Sequence, residues 1–163
     1  MPDQNSIPPL AQNEFDGLIG VAFTEINPPG GMYARTWGSA IHDLSDGLHR
    51  PLRATCLSFA AQENQDPLVF MTLDLIAWMS TEDEKGIRDP IEAALGISPG
   101  RLIVQLSHSH GAPFTDPALI DAPGGDLIPQ YRSDIIEACI KIGKSAKASM
   151  KRSTLSWGTG KCG

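Results

Sequence analysis

The sequence predicts an α/β domain: a mixed β-sheet that contains a β-hairpin and is flanked by helices. Apolar segments at 52–61 and 68–76 enclose a turn at 64–67, which is typical of a hairpin. Segments of helical periodicity at 81–95 and 129–148 each precede a further strand. The predicted order is therefore β-β-β-α-β-α-β, and the strand after each crossover helix is expected to lie parallel to its neighbour.

Composition limits the classes of function that the chain can have. Its 163 residues suit one domain, and its 41% hydrophobic and 20% charged residues argue against disorder and against a membrane-embedded protein. The net charge of −6, with no Lys/Arg cluster on a predicted face, argues against nucleic acid as a partner. The longest apolar run, at 68–79, is too short for a transmembrane segment. Composition leaves the oligomeric state open.

The amino-terminal residues differ from the rest of the chain. Residues 1–17 are polar and contain proline, and we expect a disordered lead-in there. The first strand is predicted at 18–23, so that the folded domain occupies 18–163. No basic segment followed by an apolar stretch marks a signal peptide, so a cytoplasmic location and secretion after processing are both open.

A long loop follows the first strand. The breaker cluster Asn-Pro-Pro-Gly-Gly at 27–31 opens it, and it extends to about residue 50. Loops longer than about 12–15 residues in a compact domain are commonly functional. Arg35 could contact a substrate or simply pack within the loop, and His49 could face a site. Trp37 is expected to anchor the core or the loop.

Asp74 is unusual within the third predicted strand, at 68–76. That strand is apolar on both faces and is expected to be central in the sheet. A buried carboxylate needs an ion pair, a metal or several hydrogen bonds. Asp74 could therefore orient an imidazole at a metal site, or it could tie down a nearby loop. The helix that follows is expected to begin with a capping box at Thr81 and to be kinked or divided at Pro90.

The strand predicted at 101–106 leads into two histidines, His108 and His110, and Gly111 and Pro113 stop it. Side chains alternate along a strand, so both imidazoles are expected to project to one side at its carboxyl end. Ligands of open α/β sheets bind at that end. Two neutral imidazoles there suit a metal such as zinc, or one metal ligand with one acid–base partner. The alternative is two histidines in a polar loop that hydrogen-bond to neighbours.

The remaining segments complete the predicted domain. A second long loop, at 114–126, lies beside the histidines, and a last strand is predicted at 153–157. Cys56 and Cys139 occupy apolar positions and are interpreted as core residues.

Four segments of the chain, at 19–30, 47–54, 69–76 and 106–113, resemble the neutral/alkaline, non-lysosomal ceramidase family. The first is similar to the family's opening strand and turn. The second resembles its Gly-Ile-His-Asp-Pro-Leu entry to the next strand. The third is similar to a strand that ends in an apolar-Asp-apolar triplet, and the fourth to the segment Thr-His-Thr-His-Ser-Gly-Pro. Together they span most of the chain, about residues 18–160.

Members of this family are zinc amidases that hydrolyse the N-acyl bond of ceramide or related lipid amides. The resemblance implies that residues 18–163 are the amino-terminal part of a larger ceramidase-like catalytic domain in sphingolipid metabolism. It implies that His108 is a zinc ligand and that His110 is the catalytic partner beside the metal. It also implies that the other ligands of the one zinc ion, a His, a Glu and a Tyr, lie downstream of this chain. The truncated chain alone is therefore expected to be inactive.

Two other interpretations of the histidine pair stay open. A metal-dependent amidohydrolase barrel also carries His-x-His on a strand, although the predicted hairpin does not fit a regular βα repeat. A non-catalytic binding domain could retain the fold with an incomplete site. The expected partner is a lipid amide or a small-molecule amide in either enzymatic case.

Overall fold

The computed structural model describes residues 13–161. That part of the chain contains the strands and helices β1 (Asn13–Glu25), β2 (Arg53–Ala60), β3 (Leu68–Leu73), α1 (Thr81–Leu95), β4 (Leu102–Leu106), α2 (Ile128–Ala148) and β5 (Lys151–Trp157). Short 3-10 helices at Pro117–Leu119 and Gly125–Leu127 lie between β4 and α2. The element order confirms the predicted β-β-β-α-β-α-β sequence.

The five strands form one mixed sheet in the order β4-β3-β2-β1-β5. β3 and β4 are parallel, and the other neighbouring pairs are antiparallel. The predicted hairpin is confirmed: β2 and β3 pair from Ala54 opposite Leu73 to Phe59 opposite Leu68. β3 lies between β2 and β4 as an interior strand, as expected from its apolar sequence.

Both helices pack on one face of the sheet. The side chains of β2 and β3 alternate between buried and half-buried positions, and the buried set faces α1 and α2. The core formed in this way is mainly apolar, and it includes Met71, Leu73, Ile87, Ile91, Ile135 and Cys139. Gly143 of α2 lies where a Cβ would collide with Leu95 and Met71, so this glycine allows the close packing.

Cys56 and Cys139 are buried in this core as free thiols. Burial raises the pKa of each thiol to about 12, because the charged thiolate is disfavoured away from water. Both thiols therefore stay protonated at neutral pH and act as small apolar side chains, which confirms the interpretation of these cysteines as core residues.

The other face of the sheet carries apolar side chains that remain accessible to solvent. Val21 and Phe23 of β1 are 54% and 68% exposed, and Leu155 and Trp157 of β5 are 43% and 52% exposed. Alternation along β1 and β5 places them on the face opposite the helices. No helix of the described residues is long and apolar enough to cross a bilayer.

The structure changes the predicted start of the domain. Asn13 to Gly17 were expected to belong to the disordered lead-in at 1–17, but they form the first part of β1. They are ordered because they pair with β5, whereas the second part of β1, from Leu18, pairs with β2. Residues 1–12 of the lead-in lie outside the described residues.

A further expectation was wrong, because β5 is antiparallel to β1 and not parallel. α2 ends beside the middle of β1, where Gly20 lies against Ala146, and β5 continues from there toward the beginning of β1. At Pro90 the helix was expected to be kinked or divided; α1 is one continuous helix, so it is not divided, and the kink stays a prediction. Pro90 is exposed, so the helix carbonyl that lacks a proline N–H partner can be hydrated.

Candidate functional site

Three loops leave the same edge of the sheet. β1, β3 and β4 run in one direction, so their carboxyl ends lie together with the beginning of β2. The loops at 26–52, 74–80 and 107–127 therefore meet at this edge, which is where open α/β sheets bind their ligands. Tyr131 ties α2 to the same edge, because its hydroxyl donates a 2.7 Å hydrogen bond to the carbonyl of Ile26.

His108 and His110 lie in the third of these loops, just beyond the end of β4 at Leu106. The backbone still follows the exit of β3 there: Ser107 N donates to Leu73 O over 3.0 Å, and Ser109 N donates to Leu75 O over 3.1 Å. Both histidines are exposed. The parallel pairing of β3 and β4 thus brings them to the carboxyl edge, as their sequence position predicts.

The reason for their proximity differs from the prediction. His108 has a φ of 58°, in the left-handed region, so its side chain does not follow the alternation of a strand. The two rings are nevertheless neighbours, with centroids 4.7 Å apart and planes at 86°. A turn at His108, rather than the strand pleat, brings the imidazoles together.

The backbone fixes which nitrogen of His108 is available. Nδ1 lies 2.7 Å from the carbonyl oxygen of Ile76 in the loop after β3. Because a carbonyl oxygen can only accept, Nδ1 carries the proton and donates it. The lone pair of the neutral ring is then on Nε2, and metal-binding histidines are typically oriented by such a hydrogen bond from the other nitrogen.

The long loop after β1 covers the histidine pair. The ring of Trp37 packs edge-on against that of His110, with centroids 4.2 Å apart. Thr36 Oγ1 donates to the carbonyl of His110 over 3.3 Å. Trp37 was interpreted only as an anchor, and it anchors the loop on the candidate site itself. Thr36 had no sequence signal, since its partner is a main-chain atom distant in sequence.

His49 lines a cleft of about 310 Å³ next to the pair. The walls come from the loop after β1 and from the turn that carries the histidines, and they include Met32, Leu48, Arg50, Ser109, Gly111 and Pro113. His49 therefore opens into the same cleft as the backbone on either side of His110. Whether it acts on a ligand stays a prediction.

Arg35 and Asp74 lie apart from the imidazoles. Arg35 makes a 3.3 Å ion pair with Asp43 within its own loop, and both side chains are nearly half exposed. Asp74 follows the last residue of β3 and is only half-buried. Its Oδ2 accepts from the amide of Arg53 over 2.9 Å, and its own amide donates to Arg53 O over 2.8 Å. Both contacts are to Arg53, the first residue of β2, so Asp74 continues the pairing of β3 with β2. A role of Asp74 in orienting an imidazole stays a prediction.

The side chains at this edge provide two of the donor groups that a metal site could use. Nε2 of His108 is not engaged by the bond to Ile76, and the imidazole of His110 lies beside that ring. Among residues 13–161, no cluster of three or more His, Cys, Asp or Glu side chains could hold a metal ion. Catalytic zinc generally takes three protein ligands, so this arrangement provides only a portion of such a shell.

Sequence reasoning missed a buried polar cluster behind the pair, formed by Asp83, Thr115 and Arg132. An acidic residue in the first turn of a helix is expected at the surface, where it interacts with the helix dipole. Asp83 is instead fully buried, and the sequence carries no pattern that would pair it with an arginine in the other helix.

Comparison with known proteins gives similarity at the level of structure. No family model matches the sequence, and no curated protein matches it. The fold is similar to the crystal structure of neutral ceramidase from Pseudomonas aeruginosa, with a TM-score of 0.61 and 13% identity over 88% of this chain. A ceramidase complexed with C2 is similar with the same TM-score and 14% identity. The chain spans only 22% of the length of each, and the similarity at this identity concerns the fold.

Proposed function

We propose that this chain supplies part of the active site of a zinc-dependent hydrolase that cleaves the N-acyl amide bond of ceramide or a related lipid amide. The observation that carries the proposal is the hydrogen bond from His108 Nδ1 to Ile76 O, which leaves Nε2 free beside the ring of His110. The similarity of the fold to ceramidases supports the choice of reaction.

In this proposal His108 holds zinc through Nε2, together with ligands from outside the described residues. When bound, zinc acts as a Lewis acid toward the amide carbonyl and lowers the pKa of water. His108 itself exchanges no proton, because its Nδ1–H remains committed to the Ile76 carbonyl.

His110 is the proposed proton carrier. Its ring is held between Trp37 at 4.2 Å and His108 at 4.7 Å, which restricts its orientation. An imidazole in a fixed position beside the carbonyl can donate a hydrogen bond to the oxygen as negative charge develops, and it can transfer a proton to the leaving amine.

The cleft beside the pair is the proposed binding place for the substrate. Its apolar residues Met32, Leu48 and Pro113 suit a hydrocarbon portion, and His49 and Arg50 at its border suit the polar amide end. Arg35 stays a weaker proposed contact, since it is already paired with Asp43.

A zinc titration by calorimetry tests the metal site. A longer polypeptide that continues beyond this chain should bind zinc, and His108→Ala in it should weaken binding by at least about tenfold, as expected for loss of an oriented ligand. His42→Ala is the control, because His42 is exposed in the loop after β1 and lines a separate cleft with Asp43 and Asp46. Equal zinc affinity of the longer polypeptide and its His108→Ala variant would contradict the proposal.

An activity assay tests the reaction. The 163-residue chain and a longer polypeptide that continues beyond it are compared on an N-acylated long-chain amine. Hydrolysis is expected only with the longer polypeptide, and His108→Ala and His110→Ala should each abolish it. Hydrolysis that persists in both variants would exclude this pair from the reaction.

A non-catalytic binding domain is the second candidate, and one observation favours it: the described residues do not assemble a third metal ligand around His108. A longer polypeptide that binds an acylated amine but never hydrolyses it would support this candidate. An amidohydrolase barrel is disfavoured, because the described sheet is open and mostly antiparallel rather than a closed ring of parallel strands.

A further inference from the structure

A buried ion pair joins the two helices behind the histidine pair. Asp83 lies in the first turn of α1 with its side chain 0% exposed, and Arg132 lies near the beginning of α2 with its side chain 11% exposed. Arg132 Nη1 donates to Asp83 Oδ1, and Nη2 donates to the carbonyl of Asp83 over 3.1 Å. A Cβ at Gly86 would collide with Nη2, so this glycine lets the guanidinium lie against α1.

The same two side chains hold two of the loops that form the site. Asp83 Oδ2 accepts from the amide of Met79, in the loop after β3, over 3.2 Å. Arg132 Nη1 donates to the carbonyl of Thr115, in the loop after β4, over 2.7 Å. Thr115 Oγ1 also donates to Asp83 Oδ1 over 3.3 Å. The ion pair is therefore hydrogen-bonded to both loops at once.

These two loops are the ones whose relative position determines the orientation of His108. Ile76, which accepts from His108 Nδ1, precedes Met79 in one loop. His108 and His110 precede Thr115 in the other loop. A shift of either loop relative to the other would lengthen the 2.7 Å contact between Nδ1 and Ile76 O.

We propose that Asp83 and Arg132 are positioning residues for the histidine pair. They fix the loop after β3 against the loop after β4, so that Nδ1 of His108 keeps its proton and Nε2 stays available. The importance of this positioning for catalysis rests on the proposed function. The effect on the tautomer of His108 does not, because it is expected in the metal-free chain.

Energetics favour this role over a purely stabilising one. Desolvation offsets much of the attraction in a buried ion pair, and apolar residues of similar volume often maintain stability equally well. Apolar replacements cannot, however, accept from Met79 N or donate to Thr115 O. Such a substitution therefore also costs stability, and the tautomer of His108 in a variant that still folds is the observation that distinguishes positioning from stabilisation.

The double substitution Asp83→Leu/Arg132→Met removes the ion pair together with its bonds to both loops. The control is Glu84→Leu/Arg88→Met, which removes a carboxylate–guanidinium pair within α1 whose side chains are 26% exposed. The side-chain hydrogen bonds of Glu84 and Arg88 stay within α1 and do not involve the two loops. Long-range ¹H–¹⁵N correlation spectra of the imidazole nitrogens then report the tautomer of His108 in the metal-free chain.

The wild-type chain and the control should show His108 mainly as the Nδ1–H tautomer. In Asp83→Leu/Arg132→Met the ratio of Nδ1–H to Nε2–H should fall by about fivefold, the equivalent of one hydrogen bond of ~1 kcal/mol. An unchanged ratio in a folded variant would overturn the inference. If this variant does not fold, Arg132→Lys is measured instead, because it keeps a cation beside Asp83 but cannot reach all three acceptors. Loss of folding in both would also overturn it, since the pair would then maintain the fold rather than the histidine.

Zinc titration of the same variants distinguishes the two proposals. If the tautomer changes as expected but His108→Ala leaves the zinc affinity of the longer polypeptide unchanged, the metal site is wrong and the positioning role stands. If His108 contributes to zinc affinity but the tautomer is insensitive to the ion pair, the positioning role alone is wrong.

Discussion

A comparison of the variants His108→Gly and His108→Ala tests the backbone conformation on which the site depends. Within the described residues, His108 is the non-glycine residue with positive φ, at 58°. A Cβ in the left-handed region costs about 1–2 kcal/mol, whereas glycine adopts this region without that cost. Both substitutions remove the imidazole and its hydrogen bond to Ile76, so this loss cancels when the two variants are compared.

The expected difference in stability follows from two opposing contributions. Relief of the left-handed Cβ favours His108→Gly by about 1–2 kcal/mol, and the greater freedom of glycine in the unfolded chain removes about 0.5–1 kcal/mol of this gain. His108→Gly should therefore be more stable than His108→Ala by up to about 1.5 kcal/mol. Equilibrium urea unfolding, followed by tryptophan fluorescence, measures the difference if the two m-values agree.

His110 provides the matched control, because it lies in the same loop without a positive φ. There the alanine variant should be at least as stable as the glycine variant, since only the cost of glycine in the unfolded chain remains. The stability of the glycine variant relative to the alanine variant should thus be greater at position 108 than at position 110 by about 1–2 kcal/mol. The same relative stability at both positions would refute the left-handed turn, and with it the explanation for the proximity of the two rings.

Three other substitutions test the packing around the site and one acidic group. Tyr131→Phe should lower the unfolding free energy by about 1–3 kcal/mol in urea, because the buried Ile26 carbonyl loses its 2.7 Å donor. Met71→Ala should lower it by about 2–5 kcal/mol, since Met71 is fully buried. Hydrogen bonds from Ser98 hold the pKa of the Asp66 carboxyl below its usual value. The ionised carboxylate therefore stabilises the fold above the unfolded pKa of about 4, and this stabilisation is lost as pH falls through the folded pKa. Asp66→Asn should therefore flatten the acid side of a plot of stability against pH, and an unchanged plot would contradict this assignment.

The sequence predicts those parts of the sheet that are encoded by residues close together in the chain. The hairpin of β2 and β3 follows from alternating apolar residues around a short turn, and the position of β3 follows from a segment apolar on both faces. The direction of β5 depends instead on where α2 ends over β1, which no local pattern encodes. For the same reason, the order of Asn13 to Gly17 comes from pairing with a strand at the other end of the chain.

In the candidate site, too, only the features with a local sequence signal could be predicted. The position of His108 and His110 at the carboxyl edge of the sheet is one of them, since they follow an apolar strand and precede a Gly and a Pro. The role of Trp37 could not, because its contact with His110 joins loops from different parts of the sequence. The acceptor of His108 Nδ1 is a main-chain carbonyl, which has no side-chain signal at all. Asp83 was also missed, since a first-turn acid is ordinarily exposed.

The left-handed backbone of His108 and its hydrogen bond to Ile76 together explain why the site needs support from behind. A Cβ in this region costs about 1–2 kcal/mol, and a single hydrogen bond contributes only ~1 kcal/mol net. The contact to Ile76 is therefore too weak to hold this conformation by itself, and an exposed loop would relax to a negative φ. The conformation persists because the surrounding structure constrains both ends of the contact. The main-chain hydrogen bonds from Ser107 and Ser109 supply part of this constraint next to His108. The bonds of Asp83 and Arg132 to Met79 N and Thr115 O add to it from behind.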